Sequence, residues 1–230
     1  MSNLIIILVK IFAAILLGIL AGHGAVYVFN KIPAKWLCDY GEEPSEELKD
    51  PDTQRIKGIP WKWVFSGFFT VGAIRLAIFD WKFALAGLAF SWALLVIAAA
   101  DKKYSIIPDQ FVVLVGISAM GFIPYHQTML QPLWGLLLGG GIMLASAVIG
   151  KLVFKKESLG MGDVKLFAAV GLCLGFQGTL TTLALSAVSS GAVFSILILT
   201  KKVKPGDMLP LGPYICGAAI FYAVIIWPLL

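Results

Sequence analysis

Long apolar runs separated by short polar segments dominate this chain. About 20 apolar residues are needed for a helix to cross a bilayer, so the pattern predicts about eight membrane-spanning helices. The predicted spans are residues 4–29, 61–79, 83–100, 110–126, 133–154, 164–176, 179–200 and 211–230. The first run is too long for the apolar region of a signal peptide, so we expect it to stay in the protein as a helix. The predicted fold is an all-α, polytopic membrane helix bundle.

The composition supports a membrane protein. Hydrophobic residues make up 59% of the chain and charged residues 13%, and the mean hydropathy is +0.90. A soluble domain of this length has far more charge.

The positions of the cations predict the orientation, because Lys and Arg in short loops favour the cytoplasmic side. Fifteen of the 18 lie in segments 30–62, 101–109, 151–165 and 201–204. Eight helices with both termini on the non-cytoplasmic side place all four segments in the cytoplasm. The net charge of +5 then reflects topology and contact with anionic membrane lipid, and no nucleic-acid partner is expected.

This topology divides the chain into three parts: a first transmembrane helix over residues 1–29, a cytoplasmic loop or small subdomain over residues 30–60, and a membrane core over residues 61–230. The middle part is too short to bury a core of its own. Within it, "PSEELKDPDTQ" could hold one turn of helix with Ser45 as the N-cap. Three cysteines provide neither a disulfide framework nor a paired-cysteine zinc site.

Three aspartates lie at the edges of apolar runs, where a carboxylate is costly and therefore a functional candidate. Asp101 follows one run, Asp163 precedes another, and Asp109 begins a third. In the predicted topology Asp101 and Asp163 lie at the same depth, near the inner boundary of the bilayer. Two carboxylates that meet can hydrolyse a peptide, one taking a proton from water and the other giving one. Repulsion between like charges in a partly dry site favours a single shared proton.

Gly160 and Gly162 lie on the loop side of Asp163 and would let an extended peptide approach the carboxylate, because neither has a Cβ. Asp163 could instead be the N-cap of its own helix, and Asp101 could end a helix at the interface. For Asp109 we favour an N-cap role. Lys165 is more typical of an interface lysine than of a catalytic group, although it is close enough to influence Asp163.

At these residues the chain resembles a known family. "GMGD" followed by "VKL", the segment "DKKYSIIPD" over residues 101–109, and "PLGPY" over residues 210–214 resemble three blocks of the bacterial type IV prepilin peptidases, the GxGD class of membrane aspartyl proteases. The resemblance implies an endopeptidase of the bacterial cytoplasmic (inner) membrane with Asp101 and Asp163 as its catalytic pair. Its substrates would be pilin-like precursors, pilins or pseudopilins, cleaved at the cytoplasmic face between a short basic leader and a hydrophobic helix. The matching blocks imply substrate-binding residues at Gly160, Gly162, Lys165, Pro210, Gly212 and Pro213.

One part departs from the family pattern. Members that also methylate the new N-terminus carry a conserved stretch followed by a four-cysteine zinc module. The equivalent "GHGAVYVFNKIP" here has Val26 where the family has Asn, and Cys38 alone remains of the cysteines. We therefore expect no metal and no cofactor for proteolysis. The resemblance leaves methylation with S-adenosylmethionine open.

Two other functions are compatible with paired acids in a membrane protein. A proton-coupled membrane transporter uses intramembrane aspartates as relays, but these are expected near the midplane between related halves. A scaffold for pilus or secretion assembly would need neither carboxylate.

Overall fold

The structure is a computed structural model that describes residues 2–39, 41–50, 53–154, 159–204 and 209–229. The described residues form helices and connecting segments, with no strand. The α-helices are α1 (Ser2–Lys31), α2 (Glu46–Lys49), α3 (Trp61–Phe79), α4 (Trp81–Tyr104), α5 (Asp109–Phe122), α6 (Gln131–Phe154), α7 (Met161–Leu199) and α8 (Gly212–Phe221). Short 3₁₀ helices cover Ala34–Leu37 and Ile123–Tyr125, and α8 continues through a π-helix, Tyr222–Ile226, and a 3₁₀ turn, Trp227–Leu229.

Six of these helices are long and apolar enough to cross a membrane. They are Leu4–Lys31, Trp61–Phe79, Trp81–Tyr104, Gln131–Val153, Met161–Leu199 and Gly212–Leu229, while Asp109–Tyr125 is a shorter apolar helix. The predicted all-α polytopic bundle is thereby confirmed. The number of eight crossings and the side on which the termini lie stay predictions.

Helix α7 is two arms joined at Gly175. Its 39 residues would extend about 58 Å as one straight helix, nearly twice the hydrocarbon thickness. Gly175 has φ +69° and ψ −175°, outside the helical region, and a Cβ there would lie 2.9 Å from the His126 ring. A residue without a side chain is therefore required at the break. The sequence predicted two separate helices over residues 164–176 and 179–200, whereas the two arms are interrupted at a single residue, Gly175.

The second arm of α7 runs back along α8. Gly178 lies against the Tyr222 ring, and the Phe194 and Tyr214 rings pack edge to face at 5.4 Å. The order of these contacts makes the two helices antiparallel. The first residue of α8, Gly212, contacts Asp101, and Asp101 lines the same cavity as Asp163 near the start of α7. The chain therefore reverses at Gly175, and helix α8 and the first arm of α7 begin at the same end of the bundle. We call this the dyad end, because it holds Asp101 and Asp163.

Aromatic packing joins α4 to α5 in the middle of the core. The side chains of Phe83, Phe90 and Phe122 are fully buried. Their rings meet edge to face, at 5.1 Å between Phe83 and Phe122 and 5.4 Å between Phe90 and Phe122. Such pairs stabilise beyond the area they bury, so α4 and the Asp101 it carries are firmly placed.

The segment between α1 and α3 packs on the dyad end. Leu37 and Leu48 are buried in the same core as the bundle, and the Trp36 ring lies 6.4 Å from the Phe111 ring of α5. The predicted turn of helix is α2. Ser45 is its N-cap but makes no side-chain capping bond.

Candidate active site

Asp101 lies in the last turn of α4 and is only 5% exposed. The helix ends because Ser105 adopts a left-handed conformation, φ +54°, and donates its N–H to the Asp101 carbonyl at 2.8 Å. The Asp101 side chain therefore points into the bundle at the end of the helix. The C-terminal end of α4 carries the negative end of the helix dipole and does not stabilise a negative charge on Asp101. Another group is needed to do so.

That group is the first residue of α8. The Gly212 N–H donates to Asp101 Oδ2 at 2.9 Å. The N–H groups at the start of a helix lack partners within the helix and carry its positive end, so this bond stabilises a negative charge on Asp101. A Cβ on Gly212 would lie 2.6 Å from Asp101 Oδ2. The glycine therefore makes this approach feasible.

Asp163 is the third residue of α7. The N-cap of α7 is Gly160, which makes no side-chain capping bond, so the alternative of an N-cap role for Asp163 was wrong. Asp163 Oδ1 is buried and has no hydrogen-bond partner among the described residues. A buried oxygen without a partner is costly in a structural role and suits a group that bonds to substrate.

The two aspartates come together at one cavity. Both line a cavity of about 900 Å³ at the dyad end, and their charges interact electrostatically. The thiol of Cys216, one turn into α8, is buried. The sequence placed Asp101 and Asp163 at the same depth, and the structure adds that they share one open space.

Asp109 has a different role from the one expected. Helix α5 has Pro108 as its N-cap and no side-chain capping bond, so the N-cap prediction was wrong. The carboxylate instead pairs with Lys165 at 2.9 Å, with the two side chains 35% and 44% exposed. Both residues line the cavity. The pair connects the start of α5 to the start of α7.

The other predicted substrate-binding residues do not all line the dyad cavity. Gly160 and Gly162 line the dyad cavity. Gly212 contacts Asp101, as described above. Pro213 lines a separate groove against the second arm of α7, and Pro210 lies just before α8. Substrate binding by any of these residues remains a prediction.

The cavity has a wall that sequence reasoning missed. This wall comes from the segment between α1 and α3; its residues are Lys35, Trp36, Cys38, Asp39, Gly41, Glu42, Glu43, Pro44 and Lys49. We call this wall the roof. The acidic character of the segment was visible in the sequence, but its place beside the same cavity as Asp101 and Asp163 depends on contacts between distant residues.

Three polar side chains fasten the chain between the roof and α3 to the bundle. The Arg55 guanidinium donates to the carbonyls of Phe29 and Ile32 at the end of α1. The Asn30 amide exchanges two hydrogen bonds with the backbone of Ile56, at 3.0 and 2.9 Å. Lys103 Nζ, two residues after Asp101, donates to the Arg55 carbonyl at 3.0 Å. We call these contacts the Arg55 latch.

At the other end of the bundle, Asp80 joins three helices. It is the N-cap of α4, accepting from the N–H groups of Lys82 and Phe83 at 2.7 and 3.1 Å. It also accepts from the Tyr125 hydroxyl after α5. The Tyr125 bond and the Phe83 N–H hold the pKa of Asp80 below its usual range.

Residues 88–196 match the type IV leader peptidase family, a region that includes both aspartates. The chain is 29% identical over 152 residues to the prepilin leader peptidase/N-methyltransferase of Stutzerimonas stutzeri, covering 65% of this chain and 51% of that protein. It is 32% identical over 163 residues to the enzyme of the same name from Aeromonas salmonicida strain A449, covering 62% and 49%.

A further similar protein is the type 4 prepilin-like proteins leader peptide-processing enzyme of Escherichia coli O78:H11, 32% identical over 161 residues, covering 66% of this chain and 58% of that protein. The chain therefore spans about half the length of the curated relatives it matches. No solved structure shows a significant match to it.

Proposed function

Because this chain belongs to the type IV leader peptidase family, we propose that it is a membrane aspartic endopeptidase that removes the leader from pilin-like precursors. The observation that carries the proposal is the convergence of Asp101 and Asp163, from α4 and α7, on one cavity of about 900 Å³. A cavity of this size accommodates several residues of an extended peptide.

The different surroundings of the two carboxylates suggest different roles. Gly212 stabilises a negative charge on Asp101, so we assign Asp101 as the base that takes a proton from water. Asp163 has a buried oxygen without a partner, so we assign it as the acid that donates a proton to the scissile carbonyl oxygen. Placing one proton on the pair allows acid and base to act together.

The reaction then runs in two steps. The oxygen of the water attacks the carbonyl carbon as Asp101 accepts its proton and Asp163 protonates the carbonyl oxygen. The tetrahedral intermediate collapses when the C–N bond breaks. Asp101 gives its proton to the leaving amine, and Asp163 recovers one from a hydroxyl of the intermediate, so both groups return to their starting states.

The charge of the cavity supports a basic leader as the substrate segment. Its described lining carries six carboxylates against three amines. Asp39 and Glu42 belong to the roof and are exposed. An excess of negative charge in a concave site favours a cationic peptide.

The position of the site supports cleavage beside a membrane helix. Asp101 lies three residues before the end of α4, and Asp163 is the third residue of α7. Both are therefore at the boundary of the apolar helices and away from their centres. A transporter would be expected to hold its acids near the midplane, so neither this geometry nor the relatives support the alternative. The protein is a multi-pass membrane protein, and we propose the bacterial inner membrane as its location.

The second possible activity is methylation of the new N-terminus. The relatives from Stutzerimonas and Aeromonas are named as N-methyltransferases, which makes S-adenosylmethionine a plausible cofactor. The residues at 22–33 that the resemblance connects with methylation do not fit such a site: Val26 and Phe29 are buried, Asn30 is bonded to Ile56, and none of them lines the dyad cavity. We therefore derive no step through this cofactor.

The test is cleavage of a prepilin by the purified protein in detergent, with S-adenosylmethionine present and products identified by mass spectrometry. The wild type is expected to release the leader, and Asp101→Asn and Asp163→Asn to release none. Asp80→Asn, the same substitution at the other end of the bundle, is the control and is expected to cleave. Cleavage by either active-site variant would reject the assignment. A methyl group on the product would be detected in the same spectra.

A further inference from the structure

An apolar groove of about 590 Å³ lies between α3, α4 and α8, away from the dyad cavity. Its lining includes Gly67, Arg75, Gly87, Gly217 and Phe221. Arg75 is the one charged side chain of the described lining, which contains no carboxylate. A groove of this character needs an occupant that is mostly apolar and negative at one point.

Arg75 has no hydrogen bond or ion pair to any described residue. It lies four residues before the end of α3 at Phe79, about 6 Å along the helix axis. The nearest carboxylate along the chain, Asp80, already accepts from Tyr125 and from the start of α4. A guanidinium in a spanning helix is costly unless it meets an anion, and at this depth a long side chain reaches the headgroup region.

The rest of the groove extends from Arg75 toward the middle of the bundle. A Cβ on Gly67 or Gly217 would meet nothing within 4 Å, so these positions leave open space between the helices. Ser91, the deepest member of the lining on α4, lies ten residues from Trp81, or about 15 Å. This is half the hydrocarbon thickness, the depth reached by one acyl chain.

We propose that this groove binds one phospholipid of the leaflet opposite the dyad end, with its phosphate against Arg75 and an acyl chain along Gly217. A phosphate at headgroup level is available at the depth that Arg75 reaches. A partner helix would instead need a carboxylate there, which is expensive within the membrane. The proposal rests on the groove and its charge, and it holds whether or not the chain is a peptidase.

The bound lipid would also support α8. The groove separates α8 from α3, and α8 carries at its start the N–H that contacts Asp101. Filling the groove gives α8 a packed neighbour on its outer face, so we expect the lipid to raise the thermal stability of the protein.

The experiment is native mass spectrometry of the full chain after delipidation in a maltoside detergent. The protein is titrated with palmitoyl-oleoyl phosphatidylglycerol or with palmitoyl-oleoyl glycerol. The second lipid has the same acyl chains but no phosphate. The wild type is expected to bind one phosphatidylglycerol about fivefold more tightly than the diacylglycerol, as suits one cation near one phosphate. Arg75→Gln is expected to bind both equally, which would also show that its groove is intact. Lys82→Gln, which removes an exposed cation outside the groove, is expected to behave as the wild type.

A second variant tests the location. Gly217→Leu extends a side chain into the groove from a position with open space and is expected to weaken binding of both lipids while the protein stays folded. Three results would overturn the proposal: a preference for phosphatidylglycerol that survives Arg75→Gln, equal binding of both lipids by the wild type, or unchanged binding by Gly217→Leu.

Discussion

The backbone N–H of Gly212 donates to Asp101 Oδ2 over 2.9 Å although 111 residues separate the two in the chain. This bond connects the start of α8 to the last turn of α4. It gives Asp101 Oδ2 a backbone donor, whereas Asp163 Oδ1 has no hydrogen-bond partner among the described residues. The position of α8 therefore sets the orientation of Asp101.

Substitution of Gly212 by Ala is expected to reduce leader cleavage strongly. The new Cβ would lie 2.6 Å from Asp101 Oδ2, so α8 or the carboxylate must shift, and a displacement of about 1 Å at a catalytic group can cost roughly a hundredfold in rate. The measurement is kcat/KM for a prepilin. Gly191→Ala is the matched control, because a Cβ there meets nothing within 4 Å. Equal rates for the two variants would show that the contact does not position Asp101.

Loosening the roof is expected to weaken substrate binding more than chemistry. Arg55→Met removes the two hydrogen bonds that Nη1 donates to the end of α1, and hydrogen bonds from a charged donor each contribute about 1.5 to 3 kcal/mol. We expect KM to rise by about tenfold, with a smaller change in kcat, and the segment after α1 to become more sensitive to protease. Lys57→Met, an exposed cation two residues on, should change neither. Unchanged KM in Arg55→Met would show that the Arg55 latch does not influence substrate binding.

The Asp109–Lys165 pair is expected to contribute little to stability. Its side chains are about a third to almost half exposed, and pairs in such positions contribute up to about 1 kcal/mol, less at high salt. A double-mutant cycle with Asp109→Asn and Lys165→Met, followed by thermal unfolding at low and high salt, measures the coupling. A coupling well above 1 kcal/mol, or one insensitive to salt, would mean that the pair is screened from solvent by the roof.

Protonation of Asp80 is expected to lower the thermal stability of the protein in acid. The folded state lowers the pKa of Asp80, so the stability it contributes is fully present above the ordinary value of 3.8 and is lost as the pH falls through the lower folded value. Between pH 5 and 3 the wild type is therefore expected to lose more thermal stability than Asp80→Asn. At neutral pH, Asp80→Ala should cost about 1 kcal/mol, as for other N-cap losses. Parallel curves for wild type and Asp80→Asn would contradict this account.

Much of the fold and of the site could be predicted from the sequence, because apolar runs and isolated acids are local signals. The runs around Asp101 and Asp163 predicted helices, and both helices are present. Two features depended on packing instead. The break at Gly175 is required by the His126 ring, which comes from a distant turn, and Asp109 pairs with a lysine 56 residues away rather than with its own helix.

The position of the roof also could not be predicted from the sequence. Its acids are evident in the sequence, but nothing local indicates that Arg55 binds the end of α1 or that Trp36 packs on Phe111. Such contacts between distant residues convert a polar loop into one wall of the candidate active site.

The central claim is that Asp101 and Asp163 act as one catalytic unit. Single-turnover rates of leader release, measured for the wild type, Asp101→Asn, Asp163→Asn and the double variant, test it most directly. Groups that act together are not additive, so each single substitution should lower the rate by at least about a hundredfold and the double variant should be no slower than the slower single variant. A single variant that cleaves at the wild-type rate, or losses that multiply in the double variant, would contradict the claim.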